Sequence, residues 1–384
     1  MSAAPPAAPS PSGPVRLAVF IDSLTPGGGT ENQFLLLLSA FDRERVQPFL
    51  LTLRQESPAL HELPAPGVNL AISRLFSPRG LLGLWRATRT LRRERSELAL
   101  TLFRDSNLVG TLAARLAGVP VISSRRNLGR GYWHSPAQLW LLRRLNALTA
   151  QFLANSQAVC AYTAESERVP RARITVIGNA IDTTRFRPPT EEERLAARRR
   201  WGLESGERAI ACVANLRPVK DHRTLLAAFA QAHRQQENLR LLLAGSGPEK
   251  EALSQYATEL GLDRHVRFLG SVADASAVLH ACEAAVLSSV AESSPNAVIE
   301  ALACGLPVAA TAVGGVPELL ADRPFGRLAP AAAPEALAAA LLELLAGPSL
   351  DPAVRGAARA FVEERFSLPA VLDRWYAFLT NCRA

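Results

Sequence analysis

The stretch from residue 284 to residue 320 reads AAVLSSVAESSPNAVIEALACGLPVAATAVGGVPELL, and its pattern decides the fold. The continuously apolar runs AAVLSS (284–289) and PVAAT (307–311) predict two buried strands. The segment between them has the composition of a helix, with Pro295 at its start. Strands that are apolar throughout and joined by a helix are typical of a parallel sheet covered on both faces.

The same alternation of apolar runs and helical segments extends along the whole chain. About six strand-like runs precede residue 185, and five or more follow it. The sequence therefore predicts an α/β protein of two doubly wound, Rossmann-like domains with parallel sheets. Besides the two quoted above, the runs are VRLAVFI (15–21), PFLLTL (48–53), NLAIS (69–73), LALTLF (98–103), VPVISS (119–124), QFLANS (151–156), AIACVANL (209–216), LRLLLAG (239–245) and VRFLG (266–270).

The length of 384 residues fits two domains better than one. Prolines and a run of charges at RFRPPTEEERL (185–195) predict the boundary between them. We expect a disordered tail over 1–14, one domain over 15–188 and a second over 189–365. A final amphipathic helix over 366–384 is expected to pack back on the first domain.

The composition indicates a globular protein, since 48% of the residues are hydrophobic and 20% are charged. No apolar run is long enough to span a bilayer, and the N-terminus lacks the basic start of a secretory signal. The five cysteines are too far apart for a zinc site or a disulfide framework, which predicts a reducing, cytoplasmic compartment. The sequence has no P-loop, no HExxH, no GxSxG and no metal-binding D-x-D, so we expect neither a P-loop NTPase, nor a hydrolase, nor a divalent-metal site.

Charge is divided unevenly along the chain. Residues 14–190 carry a net charge of +11 and residues 191–384 a net charge of −3, and 41 of the 43 basic residues are arginine. A basic half is typical of a protein that meets an anionic partner. A membrane surface and a merely solvated surface explain it equally well. Nucleic acid is disfavoured, because aromatic residues make up only 6% of the chain and are not interleaved with the arginines.

Three motifs of the second half carry residues suited to a nucleotide. In VANLRPVKDH (213–222), Arg217 and Lys220 lie between a strand and a helix, which suits a diphosphate. Taken alone, they would be ordinary solvent-facing charges. The next motif, LLLAGSGPEKEAL (241–253), has a Gly-x-Gly-Pro turn after a buried strand. In the third, VRFLGSV, the backbone at Leu269 is placed to lie flat against a base.

The fourth and most specific feature is the pair of Glu292 and Glu300, eight residues apart across a loop and the start of a helix. Each part alone has an ordinary explanation, either a helix cap or a solvated helix. The turn between them presents backbone amides at a helix N-terminus, which suits phosphate or sugar oxygens. That turn consists of Ser294, Pro295, Asn296 and Ala297.

In this order the four features resemble the C-terminal domain of glycosyltransferase family 4, whose members have the GT-B fold. The family pattern combines Arg and Lys after a strand, a GxGP turn, and two glutamates followed by EALACGLPV and a GG-x-PE turn. All of it is present over residues 209–320. The first half adds Gly28-Gly29-Thr30-Glu31 (the family's GGxE), LAARLAGVPVI (112–122), ANSQAV (154–159) and VIGNAID (176–182).

The resemblance implies a retaining transfer of a sugar from a nucleotide-diphosphate donor, a UDP-sugar before a GDP-sugar. The acceptor would be a glycan or a lipid-linked sugar, in cell-surface polysaccharide synthesis. The two sheets would face each other across a cleft, with the donor on the second domain and the acceptor over the first. No cofactor and no metal are implied.

The resemblance also implies roles for individual residues. Arg217 and Lys220 would neutralise the leaving diphosphate and, with Glu292 on the donor sugar, form the catalytic set. Glu300 would bind the ribose hydroxyls. The remaining donor contacts would come from Gly28, Gly29, Leu269, Ser294, Pro295, Asn296 and Ala297.

One position departs from the family pattern. Arg126 stands where many members have a histidine near the transferred sugar, and it can contact a sugar or acceptor but cannot act as a base. His134, nearby, fits the start of a helix better than a site. Two alternatives to an active transferase therefore stay open. One is a catalytically weak nucleotide-sugar-binding or regulatory protein, and the other is a GT-B enzyme of another reaction, such as an epimerase or a phosphorylase.

The segment GLLGLWRATRTLRRERS (80–96) is predicted to form an amphipathic helix. Such a helix either rests on an anionic membrane surface, as a peripheral attachment, or covers the sheet of its own domain. Its apolar face would hold Leu81, Leu84, Trp85, Thr88 and Leu91, and its basic face Arg86, Arg89 and Arg93.

Overall fold

The chain folds into two compact units, which are described here from a computed structural model. The first unit contains the chain up to Ala154, then Cys160–Ile177 and the part from Leu372 onward. The second contains Asn155–Val159 and Gly178–Val371. The structure describes residues 13–23, 29–54, 65–72, 77–128, 136–347 and 350–383.

A parallel sheet forms the centre of the first unit. Its strands are β1 (Val15–Ile21), β2 (Val46–Thr52), β3 (Gly67–Asn69), β4 (Leu98–Thr101), β5 (Val121–Arg125), β6 (Gln151–Ala154) and β7 (Ile174–Val176). The helices of this part of the chain are α1 (Gly29–Ala40), α2 (Pro78–Arg93), α3 (Arg104–Ala117), α4 (Pro136–Leu148) and α5 (Gln157–Ser166). Across the described sheet the order is β3-β2-β1-β4-β5-β6-β7. The central strand β1 is buried almost throughout, because helices cover both faces of the sheet.

A second parallel sheet forms the centre of the second unit. Its strands are β8 (Arg208–Val213), β9 (Leu239–Ala244), β10 (Val266–Gly270), β11 (Ala284–Leu287), β12 (Val308–Thr311) and β13 (Gly326–Ala329). The helices of this unit are α6 (Glu191–Arg200), α7 (His222–Gln235), α8 (Lys250–Glu259), α9 (Ser276–Leu279), α10 (Asn296–Ala303), α11 (Val316–Leu320), α12 (Pro334–Ala346) and α13 (Pro352–Phe366). Helix α14 (Leu368–Arg383) begins in this unit and continues into the first. The order in the described sheet is β10-β9-β8-β11-β12-β13.

Each face of this second sheet has its own apolar core. Ala209 and Ala211 of β8 belong to one cluster, whereas Ile210 and Cys212 belong to the other. Successive side chains of a strand point to opposite faces, so β8 feeds both cores. Because β8 lies between β9 and β11, the loops that follow these three strands emerge next to one another.

The C-terminal helix α14 contributes its last turns to the first unit. Trp375 is fully buried, and its ring meets those of Phe34 and Phe41 edge to face, with centroids 6.2 and 6.1 Å apart. The backbone amide of Asp42 donates a hydrogen bond to the hydroxyl of Tyr376 at 2.8 Å. A buried aromatic cluster of this kind makes the end of the chain part of the core.

The predicted α/β fold class, with two doubly wound parallel sheets, is confirmed. Two strands are absent from the sequence prediction, β7 and β13. Both lie at an edge of their sheet, have only three and four residues, and are partly exposed. Strands this short do not produce an apolar run that stands out from the neighbouring loops.

The apolar face that the sequence predicts for helix α2 is buried in one part and exposed in another. Thr88 and Leu91 are buried against the first unit, whereas Leu81 and Trp85 are 70% and 55% exposed. The helix covers its own unit along its length through Gly80, Gly83, Ala87, Thr88, Thr90 and Leu91, and leaves only part of the predicted apolar face exposed. None of the helices in the described ranges is both long and apolar enough to cross a membrane.

Candidate active site

The loop after β8 carries Arg217 and Lys220. Leu216 is fully buried and anchors this loop in the core, and a 3-10 turn over Pro218–Lys220 follows at once. Arg217 stands at the start of that turn and is exposed. Its guanidinium makes no hydrogen bond or ion pair with the residues that the structure describes. Its donors are therefore available to a ligand.

The Gly-x-Gly-Pro turn after β9 supports this loop through backbone contact. A Cβ atom at Gly245 would overlap the carbonyl oxygen of Ala214, and one at Gly247 would overlap that of Leu216. The amide of Leu216 donates to the carbonyl oxygen of Ser246 at 3.0 Å. The glycines are needed here because two backbones touch.

The third motif adjoins the same turn. The amide of Gly245 donates to the carbonyl oxygen of Gly270, at the end of β10, at 2.8 Å. Leu269 is half-buried and packs against one of the two cores. The segments that follow β8, β9 and β10 are therefore joined at the carboxyl ends of these strands. Doubly wound units bind their ligands at this end of the sheet.

Lys220 and Glu292 lie together, although the sequence assigns them to different parts of a ligand. Lys220 Nζ forms an ion pair with Glu292 Oε1, and the hydroxyl of Ser289 donates to the same oxygen at 2.6 Å. The hydroxyl of Ser288 donates to the carbonyl oxygen of Lys220 at 2.8 Å. The two ion-paired side chains are 24% and 10% exposed, so solvent screens their interaction only weakly. A ligand that reaches Lys220 meets a cation whose position Glu292 already fixes.

Glu300 lies in the second turn of α10. Its carboxylate makes no hydrogen bond or ion pair within the described part of the chain. Burial raises the pKa of Glu300 to about 7, while the positive charge of Arg185 works in the opposite direction. Arg185 itself is held by Asp274, with Nη2 and Oδ1 at 3.0 Å. A half-buried carboxylate that has no partner among the described residues gains most from a ligand that brings hydroxyl donors.

The turn between the two glutamates ends in free helix amides. Pro295 is buried and precedes the first residue of α10. The amides of Asn296 and Ala297 have no backbone acceptor among the described residues, as expected in the first turn of a helix. The carbonyl oxygen of Glu292 accepts from the amide of Gly315 at 3.3 Å, which ties the turn to the GG-x-PE segment.

Sequence reasoning misses two residues that hold this region in place. Asn179 Nδ2 donates to Asn296 Oδ1 at 2.6 Å and to the carbonyl oxygen of Ser294 at 3.4 Å. The carboxylate of Glu318 accepts from the first two amides of α5 at 2.9 and 2.8 Å. Both residues lie inside motifs that the sequence displays, VIGNAID and GGVPE, but the motifs do not show which groups they contact.

Arg126 is enclosed by its own unit. It directly follows β5, and its guanidinium lies 4.5 Å from the centre of the Phe34 ring. Its Nε donates to the hydroxyl of Ser124 at 3.2 Å. Burial lowers the pKa of Arg126 to about 10, so the side chain stays charged at neutral pH. A role as general base is therefore excluded.

Gly28, Gly29 and His134 are the other positions that the sequence raises. Gly28 and His134 lie outside the described residues, and Gly29 is the exposed first residue of α1. Within the described ranges, no group of three or more His, Cys, Asp and Glu side chains is placed to hold a metal ion.

Comparison with known protein families gives two matches. The family described as "Glycosyl transferases group 1" matches residues 193–361, and the family described as "Glycosyltransferase Family 4" matches residues 27–185. Together the two matches cover most of the chain. The first includes all four motifs of the candidate site from Arg217 to Glu300.

Individual relatives extend this picture. The chain is 31% identical to the D-inositol 3-phosphate glycosyltransferase of Segniliparus rotundus over 285 residues, which is 70% of this chain and 62% of that protein. It thus spans less than two thirds of that relative. It is 28% identical to the GDP-mannose-dependent alpha-(1-6)-phosphatidylinositol monomannoside mannosyltransferase of Mycobacterium tuberculosis over 336 residues, or 84% of this chain and 82% of that protein.

Solved structures share the fold. Anabaena HepE in complex with UDP has a TM-score of 0.85 at 20% identity, and the superposition covers 96% of this chain and 100% of that one. The HepE complex with UDP-glucose gives a TM-score of 0.82 at 21% identity, with 95% and 99% covered. These likenesses show the GT-B fold.

Proposed function

Because the chain belongs to the group 1 and family 4 glycosyltransferases, we propose that it moves a hexose from a nucleotide-diphosphate donor to an acceptor, with retention of configuration. The observation that carries this proposal is the arrangement after β8 and β11, where Lys220 is paired with Glu292 and Arg217 is left unpaired among the described residues. The acceptor we propose is a glycan or a lipid-linked sugar of cell-surface polysaccharide synthesis.

The proposed step is a displacement at the anomeric carbon of the donor sugar. The bond from that carbon to the β-phosphate oxygen breaks, and a bond to the acceptor oxygen forms on the same face. The acceptor proton passes to the leaving phosphate, so no ordered base is needed. Arg217 and Lys220 oppose the negative charge that develops on the diphosphate, which is the largest contribution that a site of this kind makes. With two cations in place, the proposed transfer needs no metal.

Glu292 and Glu300 divide the rest of the donor between them. Glu292 is proposed to bind the donor sugar near its 3-hydroxyl while it holds Lys220 in position, as the ion pair in the free protein indicates. Glu300 is proposed to accept hydrogen bonds from the ribose hydroxyls, which would stabilise its ionised form. The backbone at Leu269 would lie against the base.

We assign a UDP-sugar as the donor. HepE, a structural relative, has been solved with UDP and with UDP-glucose, whereas the Mycobacterium tuberculosis relative is named as GDP-mannose-dependent. A panel of UDP- and GDP-sugars, assayed for transfer into acceptors of a cell lysate, tests the assignment. Turnover of a UDP-sugar supports the assignment. Turnover of GDP-sugars alone would show that the donor carries guanine and not uracil. Turnover of no donor would overturn the proposed activity.

A second candidate is a regulatory protein that binds a nucleotide sugar and turns it over poorly. The observation in its favour is Arg126, which replaces the family histidine and is buried against Phe34. Donor hydrolysis, measured with and without acceptor lysate, separates the two candidates. Donor binding without turnover in either condition favours the regulatory protein.

For the location of the protein we propose the cytoplasm, at the surface of the cytoplasmic membrane. Leu81 and Trp85 of α2 and Trp140 of α4 are more than half exposed. The guanidinium of Arg89 lies 5.4 Å from the Trp85 ring, and that of Arg144 lies 5.1 Å from the Trp140 ring. Helices α2, α3 and α4 connect strands in one direction along the sheet, so right-handed crossovers put them on one face. Tryptophan beside arginine suits the boundary between anionic headgroups and acyl chains.

Sedimentation with anionic vesicles tests the location. The wild-type protein is expected to pellet at low salt and to be released at high salt, because each arginine near the surface contributes about 1 kcal/mol. Replacement of Arg86, Arg89 and Arg93 by serine should abolish binding. Leu195→Ser, an exposed leucine of the second unit, is the matched control and should change nothing. Binding by the triple variant would show that α2 only covers the sheet.

A further inference from the structure

Asn179 touches the turn that holds the candidate donor site without being part of it. Its side chain is buried. The backbone next to it, at Ile181, pairs with the backbone at Phe366 and Ser367, which lie just before α14. The amide of Ile181 donates to the carbonyl oxygen of Phe366 at 2.8 Å. A Cβ atom at Gly178 would stand only 2.8 Å from the ring of Phe366. Asn179 therefore projects from a rigid backbone.

The direction of the hydrogen bonds at Asn179 follows from its partner Ser294. The carbonyl oxygen of Ser294 can only accept, so the atom of Asn179 that faces it is the amide nitrogen. The same nitrogen lies 2.6 Å from Asn296, and the facing atom of Asn296 is therefore its oxygen. This arrangement turns the Nδ2 group of Asn296 away from Asn179. That group makes no hydrogen bond with the residues that the structure describes.

From this geometry we infer that Asn179 is a positioning residue, which makes Asn296 present a hydrogen-bond donor to the sugar of the nucleotide donor. Beside that Nδ2 group lie the amides of Asn296 and Ala297, which have no backbone acceptor among the described residues. Apart from the hydroxyl of Ser294, which can both donate and accept, the turn then offers donors. It fits a sugar that brings oxygen atoms to this place, as hydroxyl or carboxylate groups, and it disfavours a sugar that brings an ammonium group there.

The inference rests on the proposed function and deepens it, because it assigns the polarity of the sugar subsite to a residue that does not touch the sugar. Asn179→Asp is the sharpest change. It keeps the shape of the side chain, removes both N–H donors and adds a negative charge. Asn296 can then restore one hydrogen bond only by turning its own Nδ2 group toward Asp, which exposes its oxygen to the ligand.

Calorimetric titration of the full chain with UDP and with UDP-glucose tests the inference, with GDP and GDP-mannose in parallel. For Asn179→Asp we expect the affinity for the nucleotide sugar to fall about five- to tenfold, the effect of one hydrogen bond, while affinity for the bare nucleotide changes less than about twofold. A role in folding alone would weaken both ligands equally. Equal loss, or no loss, overturns the inference.

Asn296→Asp provides the second variant, in case Asn179→Asp does not fold. It keeps an oxygen toward Asn179, replaces the presented donor by an acceptor and adds a negative charge, so a loss of affinity for the nucleotide sugar is again expected. Wild-type affinity for the nucleotide sugar in this variant overturns the inference. In an Asn296→Ala background, Asn179→Asp should add less than about a twofold change, because the two residues act through one group. If the wild-type protein binds none of the four ligands, the proposed function itself fails.

Discussion

Arg126 and Arg217 occupy similar places in the two units and have opposite surroundings. Each follows a strand of a parallel sheet. Arg126 is only 8% exposed, lies against the ring of Phe34 and donates to Ser124. Arg217 is exposed, and its guanidinium makes no hydrogen bond or ion pair with the described residues. The guanidinium of Arg126 therefore interacts with residues of its own unit, whereas that of Arg217 is accessible to a ligand.

The contrast shows that net charge does not locate the candidate ligand site. The basic half of the chain, residues 14–190 with a net charge of +11, contains the enclosed Arg126. The half with a net charge of −3 contains Arg217, Lys220 and both glutamates of the candidate site. The candidate site is marked instead by Arg217, a cation that has no hydrogen-bond or ion-pair partner among the described residues. Its loop is held in place by close backbone contact with the turn that contains Gly245 and Gly247.

The largest expected effect is on transfer. Arg217→Ala and Glu300→Ala should each lower kcat/KM by about one to two decades, since each removes a charge-assisted hydrogen bond of roughly 1.5–3 kcal/mol. Initial rates with the donor found in the panel measure the effect, and circular dichroism checks that the fold is kept. Near-normal rates in both variants would contradict the proposed donor site.

The pH dependence of donor binding gives the next effect. The pKa of Glu300 is raised to about 7 in the free protein, and hydrogen bonds from ribose favour its ionised form. Donor binding should therefore release a proton, and the apparent affinity should rise about tenfold between roughly pH 6 and pH 8 before it levels off. A nucleotide sugar is the right ligand, because its diphosphate does not titrate in this range. Glu300→Gln should bind more weakly and show a flat profile; a slope that persists in this variant would assign the titration to another group.

The free energy of unfolding should depend on Arg126 and hardly on Arg217, whereas transfer is expected to depend on Arg217. Arg126→Ala removes a buried guanidinium from the Phe34 ring and leaves a cavity, so we expect a loss of about 1–3 kcal/mol in the free energy of unfolding. Arg217→Ala changes an exposed side chain and should stay within roughly 0.5 kcal/mol of the wild type. Thermal melts of both variants give the comparison. A larger loss for Arg217→Ala than for Arg126→Ala would reverse it.

The smallest expected effect is that of metal removal. Because Arg217 and Lys220 are proposed to balance the diphosphate, transfer should proceed at an unchanged rate in excess EDTA. The control adds Mg²⁺ or Mn²⁺ in excess over the chelator. Complete loss in EDTA that either ion restores would show that the cations do not suffice.

The sequence predicts the main strands well and the contacts of the site only in part. The continuous apolar run 15–21 marks a central, buried strand, and the run 266–270 marks a five-residue edge strand that is half-exposed; the structure has strands over the same residues. The short edge strands β7 and β13 are not predicted, because a strand of three or four residues with one neighbour needs little apolar surface. Motif order places Arg217 and Glu300 in the loops and helix where they are found.

Pairings between distant residues could not be predicted in the same way. The ion pair of Lys220 and Glu292 joins positions 72 residues apart, and the contact of Asn179 with Asn296 joins positions 117 apart. Such contacts depend on how loops close over the sheet edge. No local pattern of residue types specifies that closure. The burial of Arg126 is of the same kind, because Arg126 follows β5 and the ring of Phe34 comes from helix α1.

Titration calorimetry of UDP into the wild-type protein, Arg217→Ala and Arg126→Ala tests whether Arg217 provides the cation for the diphosphate. We expect one site per chain in the wild type, at least about tenfold weaker binding in Arg217→Ala, and wild-type affinity in folded Arg126→Ala. Undiminished binding in Arg217→Ala, or an equal loss in Arg126→Ala, would contradict the claim that the second unit alone supplies the cation for the diphosphate.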